Sequence, residues 1–319
     1  MELSYAQNLE DYHLAQVFAG QETGFYIDIG AGHPVGDNVS FWFYLQGWRG
    51  LVVEPQPGLA ELYAHIRPRD TVVCGLVGAT TGEADFHEVD RLHGLSTTVE
   101  AHAREAAAFG AGFRTLRRPM QTLAALCEQN QVEVIDFLKV DVEGAEAAVL
   151  EGADFARFRP RVVVVEAVRP GTMEQAWAGW QPLLTTQGYG FAFDDGLNRF
   201  YVADEEMGLR ERFPAKNAAW GVVRHLYEFG RAPENPEHPD HGLAITLVQG
   251  FLAALPRLPN EVVWELLQAH AASVSASGAV ERAAPDGSML SRSDLSTDRF
   301  RAALGRIAAP YDGGQLLDD

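Results

Sequence analysis

The sequence predicts an α/β fold: a doubly wound, mostly parallel sheet closed by an antiparallel hairpin, with a helical extension after it. Two observations lead there. From about residue 25 to 203, short apolar runs alternate with helix-like segments, the pattern of successive βαβ units. The connections are short enough to favour right-handed crossovers, hence helices on both faces.

The elements follow in order. FYIDIG (25–30) reads as a strand and DNVSFWFYLQ (37–46) as a helix capped by Asp37 or Asn38. GLVVEP (50–55) is a strand ended by proline, PGLAELYAHI (57–66) the helix after it, and TVVCGLVG (71–78) a third strand. GEADFHEV (82–89) reads as an inserted strand, and LSTTVEAHAREAAAF (95–109) as a loop leading into a helix. MQTLAALCEQN (120–130) is amphipathic and helical. DFLKVD (136–141) and RVVVVEA (161–167) are buried strands with a helix between them from Gly144. TMEQAWAGWQPLL (172–184) reads as a helix, with Trp177 and Trp180 packing at i, i+3. GYGFAF (188–193) and NRFYVA (198–203) form the closing hairpin across DDGL, where Asn198 reads first as turn chemistry. Segments 218–229, 243–255 and 260–271 look helical, residues 272–295 read as a flexible linker, and DRFRAALGRIA (298–308) as a terminal helix. The expected division is a catalytic domain at 1–204, a helical extension at 205–271, and a linker with terminal helix at 272–319.

Composition narrows the function. At 319 residues the chain can hold one ordinary α/β domain and an appendage. A net charge of -19 argues against nucleic acid or an anionic membrane surface as partner. Cys74 and Cys127 set no disulfide framework and read as reduced core residues. The acidic N-terminus lacks an apolar signal region and no apolar run reaches a membrane span, so a cytoplasmic location is expected. His238 and His241 share an H-x-x-H spacing, but among the three prolines Pro233, Pro236 and Pro239 they read as a solvated loop.

The first strand ends in IDIGAGHPVGDN, which puts Asp28, Gly30 and Gly32 at the mouth of the expected crevice. The dinucleotide fingerprint needs a third glycine three positions on, where this chain has Val35. Glu54 ends the second strand about 20 residues after the turn, the placement of a ribose-binding acid. Adenosine without a pyrophosphate cradle suggests S-adenosylmethionine.

SYAQNLED, IDIGAGHPVGDNVSFWFYLQGWRGLVVEPQP, GLST, DFLKVDVEGAEAAVLEG, RPRVVVVEA and DGLNRFYVA together resemble the FkbM family of S-adenosylmethionine-dependent methyltransferases, in order, over roughly residues 4–203. The resemblance implies a class I methyltransferase, Rossmann-like fold and O-methylation of a hydroxyl on a sugar, glycan or glycosylated natural product. It places cofactor contacts at Asp28, Gly30, Gly32 and Glu54, with Ala31 and Pro55 between and beside them. His33 stands where family members often carry Asn or Asp. The chain after residue 204 departs from the simple family domain.

FLKVDVEGAE sets Lys139, Asp141 and Glu143 at a spacing of two, on one face if extended. Buried ions are costly unless paired, so Lys139 and Asp141 could be a core ion pair. With Glu166 at the next strand's tip, the group reads better as the floor of a site. Lys139, Asp141, Glu143 and His33 are the catalytic candidates. Either Asp141 or His33 acts as general base, or Asp141 and Glu166 hold Mg²⁺ or Mn²⁺. Gln7, Glu10 and Asp11 could fold over the cofactor, and Leu95, Ser96 and Thr97 could line the acceptor site. The competing readings are a nucleotide-dependent oxidoreductase and a non-catalytic methyltransferase-fold binding module. The helical extension is expected to form a homo-oligomer, cover the acceptor site or dock onto a glycosyltransferase.

Overall fold

The computed structural model describes residues 1–90, 92–105, 110–218, 220–270 and 289–313. The chain divides into two compact units, Met1–Leu226 and Tyr227–Asp319. The expected linker at 272–295 lies largely outside the described residues.

The first unit is built on a seven-stranded sheet. Its strands, numbered along the chain, are β1 (Phe25–Ile29), β2 (Arg49–Val53), β3 (Thr71–Val73), β4 (Ile135–Val140), β5 (Pro160–Glu166), β6 (Tyr189–Asp194) and β7 (Asn198–Ala203). They lie in the order 6-7-5-4-1-2-3. The first five pair in parallel, and β6 and β7 form the closing antiparallel hairpin against β5. Strand order reverses between the neighbours β1 and β4, so a crevice opens beyond their carboxyl ends.

Both faces of the sheet are covered, which is why its central strands are almost continuously apolar. On one face Ile27, Leu51, Leu138 and Val163 meet side chains of α4 (Leu123–Gln129), α5 (Glu146–Glu151) and α6 (Gln181–Thr185). On the other, Tyr26, Val52, Phe137 and Val164 meet α1 (Glu10–Val17), α2 (Phe41–Leu45) and α3 (Pro57–Ile66). Full burial of each such side chain contributes roughly 1.5–3 kcal/mol, so the two layers fix the sheet.

Several expectations needed correction, each for a local reason. TVVCGLVG is two strands: β3 stops before Cys74, and Leu76–Val77 joins a separate three-stranded sheet. Cys74 is therefore exposed, whereas Cys127 is in the core. That small sheet pairs Gly82–Val89 antiparallel with Phe113–Gln121. The expected helix at 172–184 is a short 3-10 turn at Trp177–Gly179 followed by α6, because Pro182 fits a first helical turn and not an interior. Among the described residues of 218–229, the helix covers only Leu226–Phe229. Gly221 takes φ +95°, and Arg224–His225 pairs in parallel with Leu3–Ser4. The first unit also runs past residue 204, since Leu209 and Phe213 pack into its second core.

The second unit carries helices His241–Ala254, Asn260–His270 and Asp298–Ala308. Val263, Trp264, Leu290, Leu295 and Phe300 make its small core. Thr297 starts the last helix by accepting a bond from the Phe300 amide. Among the described residues, no helix is long and apolar enough to cross a membrane.

Candidate active site

The tips of β1, β2 and β4 are tied together by backbone. The Gly30 and Ala31 amides donate to the Val53 carbonyl at 3.0 and 3.2 Å, and the Asp141 amide donates to the Ile29 carbonyl at 3.0 Å. Gly30 takes φ +75° so that the chain can turn here. A Cβ on it would stand 1.7 Å from the Asp141 carbonyl oxygen. Gly32, at φ +62°, has open space where its Cβ would be.

Above these tips lies a cavity of about 350 Å³, within the size range of small-molecule sites. Gly30, Ala31, Gly32, His33, Glu54 and Pro55 line one part, and Asp141 and Glu143 another. Gln7, Leu95, Ser96 and Thr97 line it as well. Asp28 does not: it is buried and accepts a 2.6 Å bond from the Ser40 hydroxyl. Its part is to hold the turn in place.

Glu54 is the acid of the cradle. Its Oε2 accepts from the Gly32 amide at 2.9 Å and its Oε1 from the Gln56 amide at 2.8 Å. The Gln56 side chain bonds to this carboxylate as well, which still has acceptor capacity for a ligand hydroxyl. Burial pushes its pKa up to about 7, against the pull of the Gln56 and Gly32 amides.

A buried polar hub supports the turn. Arg67 donates to Asn38 Oδ1, Ser40 Oγ and the Tyr26 hydroxyl at 2.8, 2.9 and 3.0 Å, and pairs with Asp70 at 2.7 Å. Asn38 in turn donates to the Ala31 carbonyl at 3.0 Å. Asp37 and Asn38 are thus not helix caps; Asp37 takes φ +53° and α2 begins only at Phe41.

The expected base His33 is turned to the backbone. Its Nδ1 accepts from the Val35 and Gly36 amides, both at 3.1 Å. That assigns the neutral ring's proton to Nε2 and leaves His33 a donor at the cavity wall.

Lys139 is buried beside the acids. Its Nζ donates to Asp141 Oδ2 at 3.1 Å and to Asn198 Oδ1 at 2.6 Å. Asn198 passes the contact on, donating to Glu10 Oε1 at 2.7 Å. Burial disfavours the ammonium, but Asp141, Glu10 and Glu166 outweigh that and hold its pKa above the usual value. The core ion pair and the site floor are therefore the same object. Asp141 reaches the cavity; Lys139 lies outside its lining.

Glu143 is carried past the strand end at φ +57°. Its carbonyl is held by Thr97 Oγ1 at 2.8 Å and by His102 Nδ1 at 3.2 Å. Carboxylate oxygens of Asp141, Glu143 and Glu166 lie within 4.8 Å of one another. Burial, and then the charge of Asp141, drive the pKa values of Glu143 and Glu166 well above the ordinary range. Glu146 instead serves structure, accepting from the Gly144 amide at 2.9 Å.

Sequence reasoning missed the wall supplied by Gly75, Leu76, Val77 and Phe86. The signal was Gly75 inside an apolar run, which marks a break or a close approach. It also missed Asn198 as the link between Glu10 and Lys139, since only the β5–β7 register sets Asn198 opposite Glu166.

The Methyltransferase FkbM domain profile matches residues 28–193, just over half of the chain. The chain belongs to the FkbM methyltransferase family. A comparison with curated proteins finds no match. The FkbM match begins at Asp28 and takes in the glycine turn, Glu54, the acidic centre and Glu166. Membership in a methyltransferase family sets aside the oxidoreductase reading, in agreement with Val35 at the place of the third glycine.

Proposed function

We propose that this FkbM-family methyltransferase uses S-adenosylmethionine to methylate a hydroxyl of a sugar, glycan or glycosylated natural product. The observation that carries the reading is the single cavity lined by both the Glu54 cradle and the Asp141–Glu143 acids. The open space at Gly32 and the remaining acceptor capacity of Glu54 fit a nucleoside ribose. When bound, the cofactor supplies an electrophilic methyl group on a sulfonium.

The chain's own residues then have defined tasks. Glu54 and the Gly30–Gly32 turn hold the ribose, and alignment of the two reactants contributes roughly 7–11 kcal/mol of the barrier. Asp141, oriented by Lys139, receives the acceptor hydroxyl. The acidic centre would take the hydroxyl proton as the acceptor oxygen receives the methyl group that the bound cofactor would supply. Gln7, Asp37, Ser96 and Thr97 add hydrogen-bonding groups to the wall, which suits a polyhydroxylated acceptor. The carboxylates disfavour an anionic one.

Methyl-labelled S-adenosylmethionine with a panel of simple sugars and glycosides tests this. Asp141→Asn should lower turnover by roughly 10²–10⁴-fold, the usual contribution of a positioned base, while S-adenosylhomocysteine binds unchanged. Turnover retained in that variant would remove Asp141 from the reaction.

A further inference from the structure

We infer that Asp141, Glu143 and Glu166 together hold one divalent cation, Mg²⁺ or Mn²⁺, at the edge of the cavity. The observation beyond the acidic cluster itself is Glu166. It is only 7 % exposed, and its Oε2, sealed from solvent, accepts no hydrogen bond among the described residues. A buried carboxylate oxygen left without a donor is costly, and such groups call for an explanation. Here that oxygen belongs to a side chain that meets two other carboxylates.

Spacing supports the ion. Oxygens on opposite sides of a hard cation with bonds of roughly 2.0–2.6 Å stand about 4–5 Å apart. Three carboxylates within 4.8 Å of one another already span such a sphere. Charge points the same way. Lys139 is the ammonium in contact, and its bonds go to Asp141 and Asn198, not to Glu143 or Glu166. Three carboxylates against one ammonium leave a deficit that one divalent ion closes. An all-oxygen set selects magnesium or manganese over softer metals.

The loop is built to present Glu143. Thr97 and His102 both hold its carbonyl, and Gly144 next to it sits at φ +98° against the His102 ring. The meaning of the ion rests on the methyl-transfer reading: beside Asp141 it would lower the pKa of the acceptor hydroxyl. The site itself stands independently of that reading.

The test is a Mn²⁺ titration of the EDTA-stripped full chain, followed by electron paramagnetic resonance. One ion should bind per chain, and Glu166→Gln and Glu143→Gln should each weaken it about tenfold or more. Glu151→Gln, at an exposed acid, should leave the titration unchanged and so discounts the general negative surface. Circular dichroism and S-adenosylhomocysteine binding report whether the variants fold, and Glu143→Gln, on a loop, serves if Glu166→Gln does not. Wild type failing to bind at roughly 1 mM Mn²⁺ overturns the inference, as does equal binding by wild type and a folded variant. Mn²⁺ bound without any affinity for S-adenosylhomocysteine would instead overturn the cofactor reading and leave the cation site standing.

Discussion

Gly30→Ala should lose roughly 2–5 kcal/mol of stability and most of its affinity for S-adenosylhomocysteine, the left-handed backbone costing about 1–2 and the overpacking about 1–3 kcal/mol. The cause is specific. The new methyl would stand 1.7 Å from the Asp141 carbonyl oxygen, so β1 and β4 must part at the mouth of the cavity. Those tips are also where the Asp141 amide bonds to Ile29, so a shift there displaces Asp141 itself. Gly32→Ala is the control. It has similar backbone strain at φ +62° but open space for the methyl, so it should lose only the strain term. Thermal unfolding separates the two variants, and equal melting temperatures would show that the approach of the tips is not close.

Lys139→Met should cost roughly 3–5 kcal/mol, the usual result of removing one partner from a buried ion pair. Asp141 would lose its 3.1 Å partner, and Asn198 would lose the donor to its Oδ1. Glu10, raised by burial and held down chiefly by Lys139, would lose that counterweight. The sign of the pH response follows. Without the ammonium the folded-state pKa values of Glu10 and Glu166 rise further, so folding favours their protonated forms. The deficit should shrink as the pH is lowered and widen as it is raised. Adding Asp141→Asn to Lys139→Met should recover part of the loss, because a neutral side chain needs no ammonium. Denaturant melts of the four proteins in that cycle give the coupling; additive losses would mean that the two side chains do not act as a pair.

These two residues show what could be read from the chain. Buried strands declare themselves through runs such as RVVVVEA, and acids at their tips stand out because nothing in a covered parallel strand calls for charge. So Glu54, Asp141 and Glu166 were visible, and so was the turn at Gly30 and Gly32. Phe113–Gln121 was not. It pairs through Arg114 with Glu88 and Arg117 with Asp85, polar contacts that leave no apolar alternation to recognise. The family resemblance placed Asp28 among the cofactor contacts, yet its carboxylate accepts from Ser40 and lies outside the cavity lining. The Arg67 hub was invisible for a different reason. Fully buried arginines are rare, and apart from the neighbouring Asp70 its partners lie on β1 at Tyr26 and in the loop at Asn38 and Ser40, which only the fold brings to it. Asn198 followed the same rule: as a turn residue it was unremarkable, and its contacts with Lys139 and Glu10 span 59 and 188 positions of sequence.

The most direct measurement is calorimetric titration of the wild-type chain and Glu54→Gln with S-adenosylhomocysteine across neutral pH. In the proposed reading the ionised Glu54 carboxylate accepts a ribose hydroxyl, and burial pushes its pKa up to about 7. Wild-type affinity should therefore rise as the pH passes up through about 7 and fall below it. Glu54→Gln should bind about tenfold to a hundredfold more weakly, from the loss of one charge-assisted bond, and should show little of that pH dependence. Absence of binding heat in the wild type, or an identical pH-independent affinity in both proteins, would contradict the placement of an adenosyl ligand over the tips of β1, β2 and β4.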